Sequence, residues 1–584
     1  MNDTGRSAAD TAMDDGEQWV IRRASVFSGA AAMPGLHDVW ISGERIVAVT
    51  PTDASARADL PSLDARGRRL SAGFTDAHAH LDREGLRARL TPLGAPRSRQ
   101  ELLDRIAEAV ARALPGEWIV TEPLGTPPDY PDAVPPGSDI LPTLRELDAV
   151  SPENPVYIRP IWGYWNPGVP LVSVANSLAL ALCGVDVETP APSPRVTIDR
   201  DESGLTGVFV ERTAQPIVEH ALLPALPGFD VVDRMAGVRE GIRVYNRHGT
   251  TSVFEGHGLA APSVSAYGLV AGERAASMKA TIMLSADWRS ESFERVGDVV
   301  SEWQRWAASR SRRIGVPGIY VEPVSDGDHA PRRARHPQTG WAGFTAASVQ
   351  DRDALQALLD EAARARIRVS TIFPGIAEMM ESTARRVGDI RDLRWVVSHQ
   401  QVFTEADLER IARLGIVVTT IAGHQIHRTG EHAARVRDPH ARVVPLRSML
   451  DRGIPFALGS DNRPPSLFDS MQHVVLRRGR GGTVVDPDQA LTPSEALSAM
   501  TQGGAFLVQA EHDRGEVRAG MRADLVIFRD DPLTVAPAEL SSVETDAVIV
   551  DGSLVIGDGE RRPGSRPERF GLLTQVRRGT PRGT

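Results

Sequence analysis

SAGFTDAHAHLD, residues 71–82, sets two histidines one residue apart directly behind a short glycine-led apolar run. The chain has 15 histidines in 584 residues, so a pair at this point asks for a reason. In a β-strand successive side chains point to opposite faces, which sends His78 and His80 the same way. Two imidazoles on one face, a pleat apart, can grip a single metal ion. An isolated His-x-His also occurs in surface loops with no ion nearby, so the reading depends on what other segments supply.

Working outward, helical patterns alternate with short apolar strands. RQELLDRIAEAVARAL, DALQALLDEAARA and EADLERIARLG have the helical period, and IRVSTIF, LRWVVSH, GIVVTTIAG and GIPFALGSD read as strands. Repeated strand–helix alternation predicts a parallel sheet covered by helices. The alternating region, residues 71–507, spans roughly 440 residues against the ~250 typical of a closed (β/α)8 barrel, so it must carry insertions. The clearest runs from about Pro115 to Pro227 and opens with EPLGTPPDYPDAVPPGSDILP, too rich in proline for regular helix or central strand. Both flanks differ in rhythm. WVIRRASVFSG and DVWISGERIVAVT, within 19–70, and LVIFRDD and DAVIVDGSLVIGDG, within 508–560, are short alternating strands with tight turns. Residues 1–18 read as a polar leader and 561–584 as a flexible polar tail.

Bulk composition narrows the function. Hydrophobic residues make up 41% and charged ones 24%, as in a globular protein with a large core. A net charge of −10 with no long basic run argues against nucleic acid. No apolar stretch reaches the 18 or more residues of a membrane helix, and the acidic start lacks the features of a signal peptide, so a cytoplasmic setting is expected. One cysteine, Cys183, excludes an internal disulfide and a thiolate zinc cluster, and its helix-like apolar surroundings predict a packing role.

In such barrels the chemistry sits at the carboxyl ends of the strands. His78 and His80 end the first candidate strand, His399 ends RWVVSH, Asp461 ends IPFALGSD, Glu322 lies in GIYVEPVSDGD, and Glu255 and His257 lie in TTSVFEGHG. Each has an ordinary explanation alone: Asp461 as a turn residue, His399 as a strand-end histidine, Glu322 as a solvated carboxylate, Glu255 and His257 as structural support. Three of these sites would give a mixed nitrogen and oxygen ligand set suited to zinc or another borderline divalent ion.

Taken in order, ISGERIVAV, GFTDAHAHLD, PGEWIVTEPLG, LDAVSPENPVYIR, HGTTSVFEG, VVSHQQVFTEADLERIARLGI, GIPFALGSD, LTPSEALSAMTQGGA and GEVRAGMRADLVIFRDDPL resemble the amidohydrolase superfamily of metal-dependent hydrolases. The similar branch is the one holding N-substituted formamide deformylase and D-aminoacylase-like enzymes. The resemblance implies a (β/α)8 TIM-like barrel with a small β-sandwich built from both termini. It implies His78 and His80 as first-strand ligands and His399 as the sixth-strand histidine. Asp461 becomes the eighth-strand aspartate, both ligand and proton shuttle, and His424 a substrate-facing histidine. Departures are also visible. Glu322 stands where relatives carry a lysine that bridges two metals. Ile372 replaces a fifth-strand histidine, Ile376 an aspartate, and Tyr164, beside Trp165 in IWGYWNPG, a further histidine.

These losses point to one divalent ion per chain, zinc, held by His78, His80 and Asp461 with His399 and Glu322 nearby, in a pocket made drier by Ile372, Ile376 and Tyr164. Asp461 and His399 are the expected catalytic residues, and His424, Tyr164 and Trp165 the expected substrate-binding ones. The expected activity is hydrolysis of a C–N bond (amide, N-formyl or cyclic amide) in a small hydrophobic or aromatic molecule. A decarboxylase or isomerase on the same fold, and a metal-free binding protein, are the competing expectations. The expected partner is a small-molecule substrate, without nucleic acid or membrane; a homo-oligomer is compatible with the sequence.

Overall fold

The structure is a computed structural model, described for residues 18–53, 60–124, 140–160, 170–212, 217–285, 303–304, 307, 311–323, 349–350, 352–373, 375–462 and 464–557. Its centre is an eight-stranded parallel sheet: β1 (Phe74–Asp76), β2 (Thr250–Leu259), β3 (Lys279–Ser285), β4 (Ile314–Tyr320), β5 (Arg368–Thr371), β6 (Val396–Ser398), β7 (Val417–Thr420) and β8 (Phe456–Leu458). Each strand pairs with the next in chain order. The seam between β8 and β1 is bridged just past the strand ends, where Ala77 N–H donates to Leu458 O at 3.0 Å and Asp461 N–H to His78 O at 2.8 Å. The expected barrel is therefore present and nearly closed.

Why the strands read as continuous apolar runs is plain from where their side chains go. Val396, Val417 and Ala457 point into the barrel with Phe254, Met283 and Tyr320. Their sequence neighbours Val397, Val418 and Leu458 point outward under the helices. A strand buried on both faces has no polar side to alternate with. Each fully buried Val, Leu or Ile adds about 1.5–3 kcal/mol. The outer helices include Arg352–Arg364 and Glu405–Leu414, the second opened by a capping box between Thr404 and Asp407.

Between β1 and the long helix Val231–Arg247 lies an inserted five-stranded sheet, in the order Val196–Asp201, Gly204–Glu211, Leu171–Ala175, Val156–Ile158, Ile119–Val120. The inserted layer also takes in the helix Arg99–Val110, upstream of Pro115. Leu102, Leu103 and Ile106 of that helix share a core with Ile119, Leu147, Val156 and Val174. Cys183 ends the helix Ser177–Cys183 and is half-buried against a neighbouring cluster, as expected of a packing residue. The helices on either side of the insertion, Leu81–Leu86 and Val231–Arg247, touch backbone to backbone. A Cβ on Gly85 of Leu81–Leu86 would lie 1.8 Å from Gly237 O, so only glycine permits that approach.

The two ends of the chain meet in one β-rich unit. Strands Ser553–Ile556, Thr545–Val550 and Leu525–Phe528 continue through Arg69–Ala72 to Gln18–Val26, His37–Ser42 and Arg45–Pro51. Gln18–Val26 serves both halves, because its register slips between Ile21 and Ala24, with Arg23 at φ 55°. Trp19, Val26 and Ile41 from the first end pack with Leu525, Ile527 and Ile549 from the second. Among the described residues no helix is long and apolar enough to cross a membrane. Gln18, the last residue of the proposed leader, opens the strand Gln18–Val26; the rest of the leader, the tail, and Tyr164 and Trp165 lie outside the described residues.

Candidate metal centre

His78 and His80 sit beyond β1 rather than in it: the strand stops at Asp76, and His80 is already the residue before the helix Leu81–Leu86. Strand alternation therefore does not place them. A lattice of backbone hydrogen bonds does. Asp76 Oδ1 accepts from His78 N–H and from Ser460 N–H, each at 3.0 Å. Ala79 N–H donates to Phe254 O at 3.1 Å. Asn462 Oδ1 accepts from His80 N–H at 3.2 Å while its Nδ2 donates to His80 O at 2.7 Å. Glu255 Oε1 accepts from Leu81 N–H at 2.8 Å. The loop is thus held by β1 itself, by the segment after β8 and by β2, and the two rings end with centroids 5.2 Å apart at 83°.

His399 and Asp461 close in from β6 and β8. His399 Nε2 lies 3.3 Å from His78 Nε2, and His80 Nε2 lies 3.0 Å from Asp461 Oδ1. Asp461 Oδ2 is 4.0 Å from His399 Nε2. His399 (φ 59°), Asp461 (φ 52°) and Asn462 (φ 61°) all adopt left-handed backbone. That region disfavours non-glycine residues and is held where a site demands it. His78, His80 and Asp461 are buried, whereas the His399 side chain keeps 24% exposure and faces the barrel mouth.

The donor atoms test whether a metal fits. Those of His78, His399 and Asp461 lie within 4.8 Å of one another, and so do those of His78, His80 and His257. Donors ~2.0–2.1 Å from a tetrahedral zinc stand roughly 3.3 Å apart, the separation of His399 Nε2 from His78 Nε2. Nitrogen and carboxylate oxygen is the chemistry zinc selects. The residues present fit a divalent ion.

The remaining expected residues fall in different places. Glu322, just past β4, accepts from the Tyr320 hydroxyl at 2.8 Å and belongs to neither group of donors. His424 lies beyond β7 in the wide turn Gly423–Arg428, where Thr429 N–H reaches back five residues to His424 O, and is half-buried. Ile372 follows β5 and packs partly against the barrel-interior cluster. Ile376 opens the helix Ile376–Val387 and is buried under it. Glu255 stands behind His80, with Oε2 3.9 Å from His80 Nδ1 and Oε1 taking the Tyr267 hydroxyl at 2.7 Å. Burial, then the charge of Asp82, pushes its carboxyl up to about 8.

Three supports were not foreseen from the sequence. Asp76 is fully buried, and burial pushes its carboxyl up to about 7. Its Oδ2 has no hydrogen-bond partner among the described residues. Arg83 is 5% exposed and brings Nη2 within 3.5 Å of Asp461 Oδ1, so a cation stands beside the candidate acid–base. Asn462, steadied by the Tyr245 hydroxyl, ties His80 to the end of β8. Asp76 and Arg83 both lie within three residues of the histidine pair, which was the available signal.

Comparison with known proteins bears on the family and the fold. The sequence profile of the Amidohydrolase family matches residues 62–556. An N-substituted formamide deformylase from Arthrobacter pascens is 26% identical over 558 residues, spanning 88% of this chain and 94% of the relative. The putative amidohydrolase YtcJ of Bacillus subtilis (strain 168) is 23% identical over 526 residues, spanning 85% and 90%. The crystal structure of an uncharacterized metal-dependent hydrolase from Pyrococcus furiosus superposes with a TM-score of 0.61 at 18% identity, covering 88% of this chain and 100% of that one.

Proposed function

The chain belongs to the amidohydrolase family, and from that premise we propose that it is a zinc-dependent hydrolase with one ion per chain. Its reaction is the hydrolysis of a C–N bond (amide, N-formyl or cyclic amide) in a small hydrophobic or aromatic molecule. The observation that carries this reading is the convergence of His78, His80, His399 and Asp461 from β1, β6 and β8, with His399 Nε2 3.3 Å from His78 Nε2 and His80 Nε2 3.0 Å from Asp461 Oδ1. Those four residues would hold the ion. Bound there, it supplies Lewis acidity toward a carbonyl group and toward water.

The chain's own groups do the rest. Asp461, through Oδ2 on the side of His399, takes a proton from the attacking water and hands it to the leaving nitrogen, as a positioned acid–base does. Water adds to the carbonyl carbon, the C–N bond breaks, and the products are a carboxylic acid and an amine. Arg83 steadies the Asp461 carboxylate from the opposite edge, 3.5 Å from Oδ1. His399 and His424, from neighbouring barrel ends, flank the route by which substrate enters. Half-buried Ile372 beyond β5, packed against the barrel-interior cluster, adds an apolar group there, which favours hydrophobic substrates.

The test is metal analysis joined to turnover. Wild-type protein should carry close to one zinc per chain and hydrolyse N-aryl formamides or aryl amides, with one ¹⁸O from labelled water entering the acid. His78→Ala should lose both the metal and the turnover while keeping its fold by circular dichroism. Product free of ¹⁸O, or unchanged turnover in His78→Ala, would refute the reading.

A further inference from the structure

β2 does not run straight to the barrel mouth. Against β3, Glu255 stands opposite Ile282 and Leu259 opposite Leu284, so four steps on β2 match two on β3. The surplus forms a bulge of Gly256, His257 and Gly258. Bulges re-aim a side chain and recur beside functional sites.

This one is built to be tight. Gly258 has φ 80°, and a Cβ there would lie 2.6 Å from Tyr320 Cβ. A Cβ on Gly256 would meet the Phe254 ring at 2.6 Å. From β5, across the barrel, Ser370 Oγ donates to Gly256 O at 2.7 Å. Two glycines let the backbone press inward and a serine fixes it there.

The residue so delivered is His257. Its ring centroid lies 5.8 Å from that of His80 and 6.4 Å from that of His78, and its donor atom falls within 4.8 Å of donors on both. Tyr320 braces the far side, with ring centroids 4.8 Å apart. Meanwhile Ile372, the residue after β5, offers no donor atom.

We propose that His257, carried inward by the bulge in β2, is a further ligand of the metal centre formed by His78, His80, His399 and Asp461. The assignment rests on the metal-centre reading above. It assigns roles to residues on two strands: β2 contributes the ligand, and β5 contributes Ser370, the group that positions it.

The test uses zinc and cobalt(II) titration of the apo full-length chain, with no substrate. His257→Phe keeps a ring in the space but removes the donors. Loss of an outer-shell partner costs ~10–100-fold in affinity, so a true ligand should cost more than about 100-fold. The visible absorption of the cobalt(II) form should change as well, while the apo protein melts as wild type does. Affinity within that outer-shell range together with an unchanged cobalt spectrum overturns the inference and leaves the metal-centre reading standing.

His78→Ala is the separating control: wild-type zinc affinity in that variant overturns the metal-centre reading and this inference with it. A measurement on the wild type covers the case in which His257→Phe fails to fold. Zinc should protect His257, along with His78 and His80, from carbethoxylation followed by mass spectrometry. Modification of His257 at an undiminished rate in zinc-loaded protein overturns the inference.

Discussion

Gly459 offers the sharpest test of how the centre is held. It follows β8 and carries no side chain where the chain passes His78. A Cβ there would lie 2.7 Å from both the backbone nitrogen and the Cβ of His78, roughly 0.8 Å inside the ~3.5 Å at which non-bonded atoms rest. Neither side can yield freely. Gly459 N–H is bound to Thr420 O at 2.8 Å and its carbonyl to Ser470 Oγ at 2.8 Å. His78 is bound through its N–H to Asp76 and through its carbonyl to Asp461 N–H. Gly459→Ala should therefore cost about 1–3 kcal/mol of overpacking strain. A ligand pushed by most of an ångström far exceeds the ~0.2 Å tolerance of a metal site, and a ~1 Å error in a catalytic constellation costs about 100-fold in rate. The assay pairs competitive zinc titration with a urea unfolding midpoint. Gly268→Ala is the control: Gly268 is exposed in the helix Ala261–Ala271 with nothing within 4 Å of its would-be Cβ. It should gain up to about 1 kcal/mol and leave zinc binding untouched. Wild-type zinc affinity and midpoint in Gly459→Ala would refute the packing argument.

Other expectations are independent of it. Burial pushes the Glu211 carboxyl up to about 8 from 4.5, and its Oε1 has no hydrogen-bond partner among the described residues. The folded chain keeps that proton where the unfolded chain releases it, so stability is full below about pH 4 and declines as pH rises toward 8. Glu211→Gln should raise the urea midpoint at pH 9, by roughly 3–5 kcal/mol equivalent, and leave it unchanged at pH 4; equal gains at both values would refute this. Arg368 is 3% exposed, burial pushes its guanidinium down to about 9, and neither terminal nitrogen has a hydrogen-bond partner among the described residues, although the guanidinium lies over the Phe254 ring, 5.6 Å from its centroid. Arg368→Met, although it loses the 2.8 Å bond from Nε to Arg394 O, should be neutral or stabilising by about 1–3 kcal/mol in thermal unfolding; a large loss of stability would show that the charge is compensated. Removing the metal with a chelator should speed amide hydrogen exchange at residues 77–81 and 459–462 before the outer helices; uniform exchange across the barrel would refute that order.

What the sequence disclosed follows from how local each signal is. β5 to β8 were legible because a strand buried on both faces must be apolar at every step, and that run is visible without knowing its partners. The histidine pair and Asp461 were legible as residue types, yet the reason given for the pair, strand alternation, was not the one that places them. Their loop is held by Asn462 and Glu255, 382 and 174 residues away in sequence, and no local pattern announces a partner at that distance. Nor does the sequence show that Gly459, two residues before Asp461, makes room for His78. The placing of His257 is not legible in the sequence, because a bulge is defined by pairing with another strand. The glycines on either side of it were the one local hint, since glycine inside a strand often marks a bulge or a close approach.

The same lattice links closure of the barrel to formation of the site. Closing an eight-stranded barrel requires its last strand to find its first, and here the contacts that do so are largely the contacts that place the ligands. Asp76 takes one backbone N–H from each side of the seam, His78 O accepts from Asp461 N–H, and Asn462 exchanges two hydrogen bonds with His80. Each is a modest net gain of about 0.5–1.5 kcal/mol, but a buried group left unmade costs about 1–3 kcal/mol. The seam is therefore favourable only when complete. An incompletely closed barrel would lack the Asp461 position and the His78 position together rather than one of them. The left-handed backbone at Asp461 and Asn462 has the same origin, because the chain must turn sharply after β8 to reach back over β1, and the hydrogen bonds to His78 and His80 are what offset that strain.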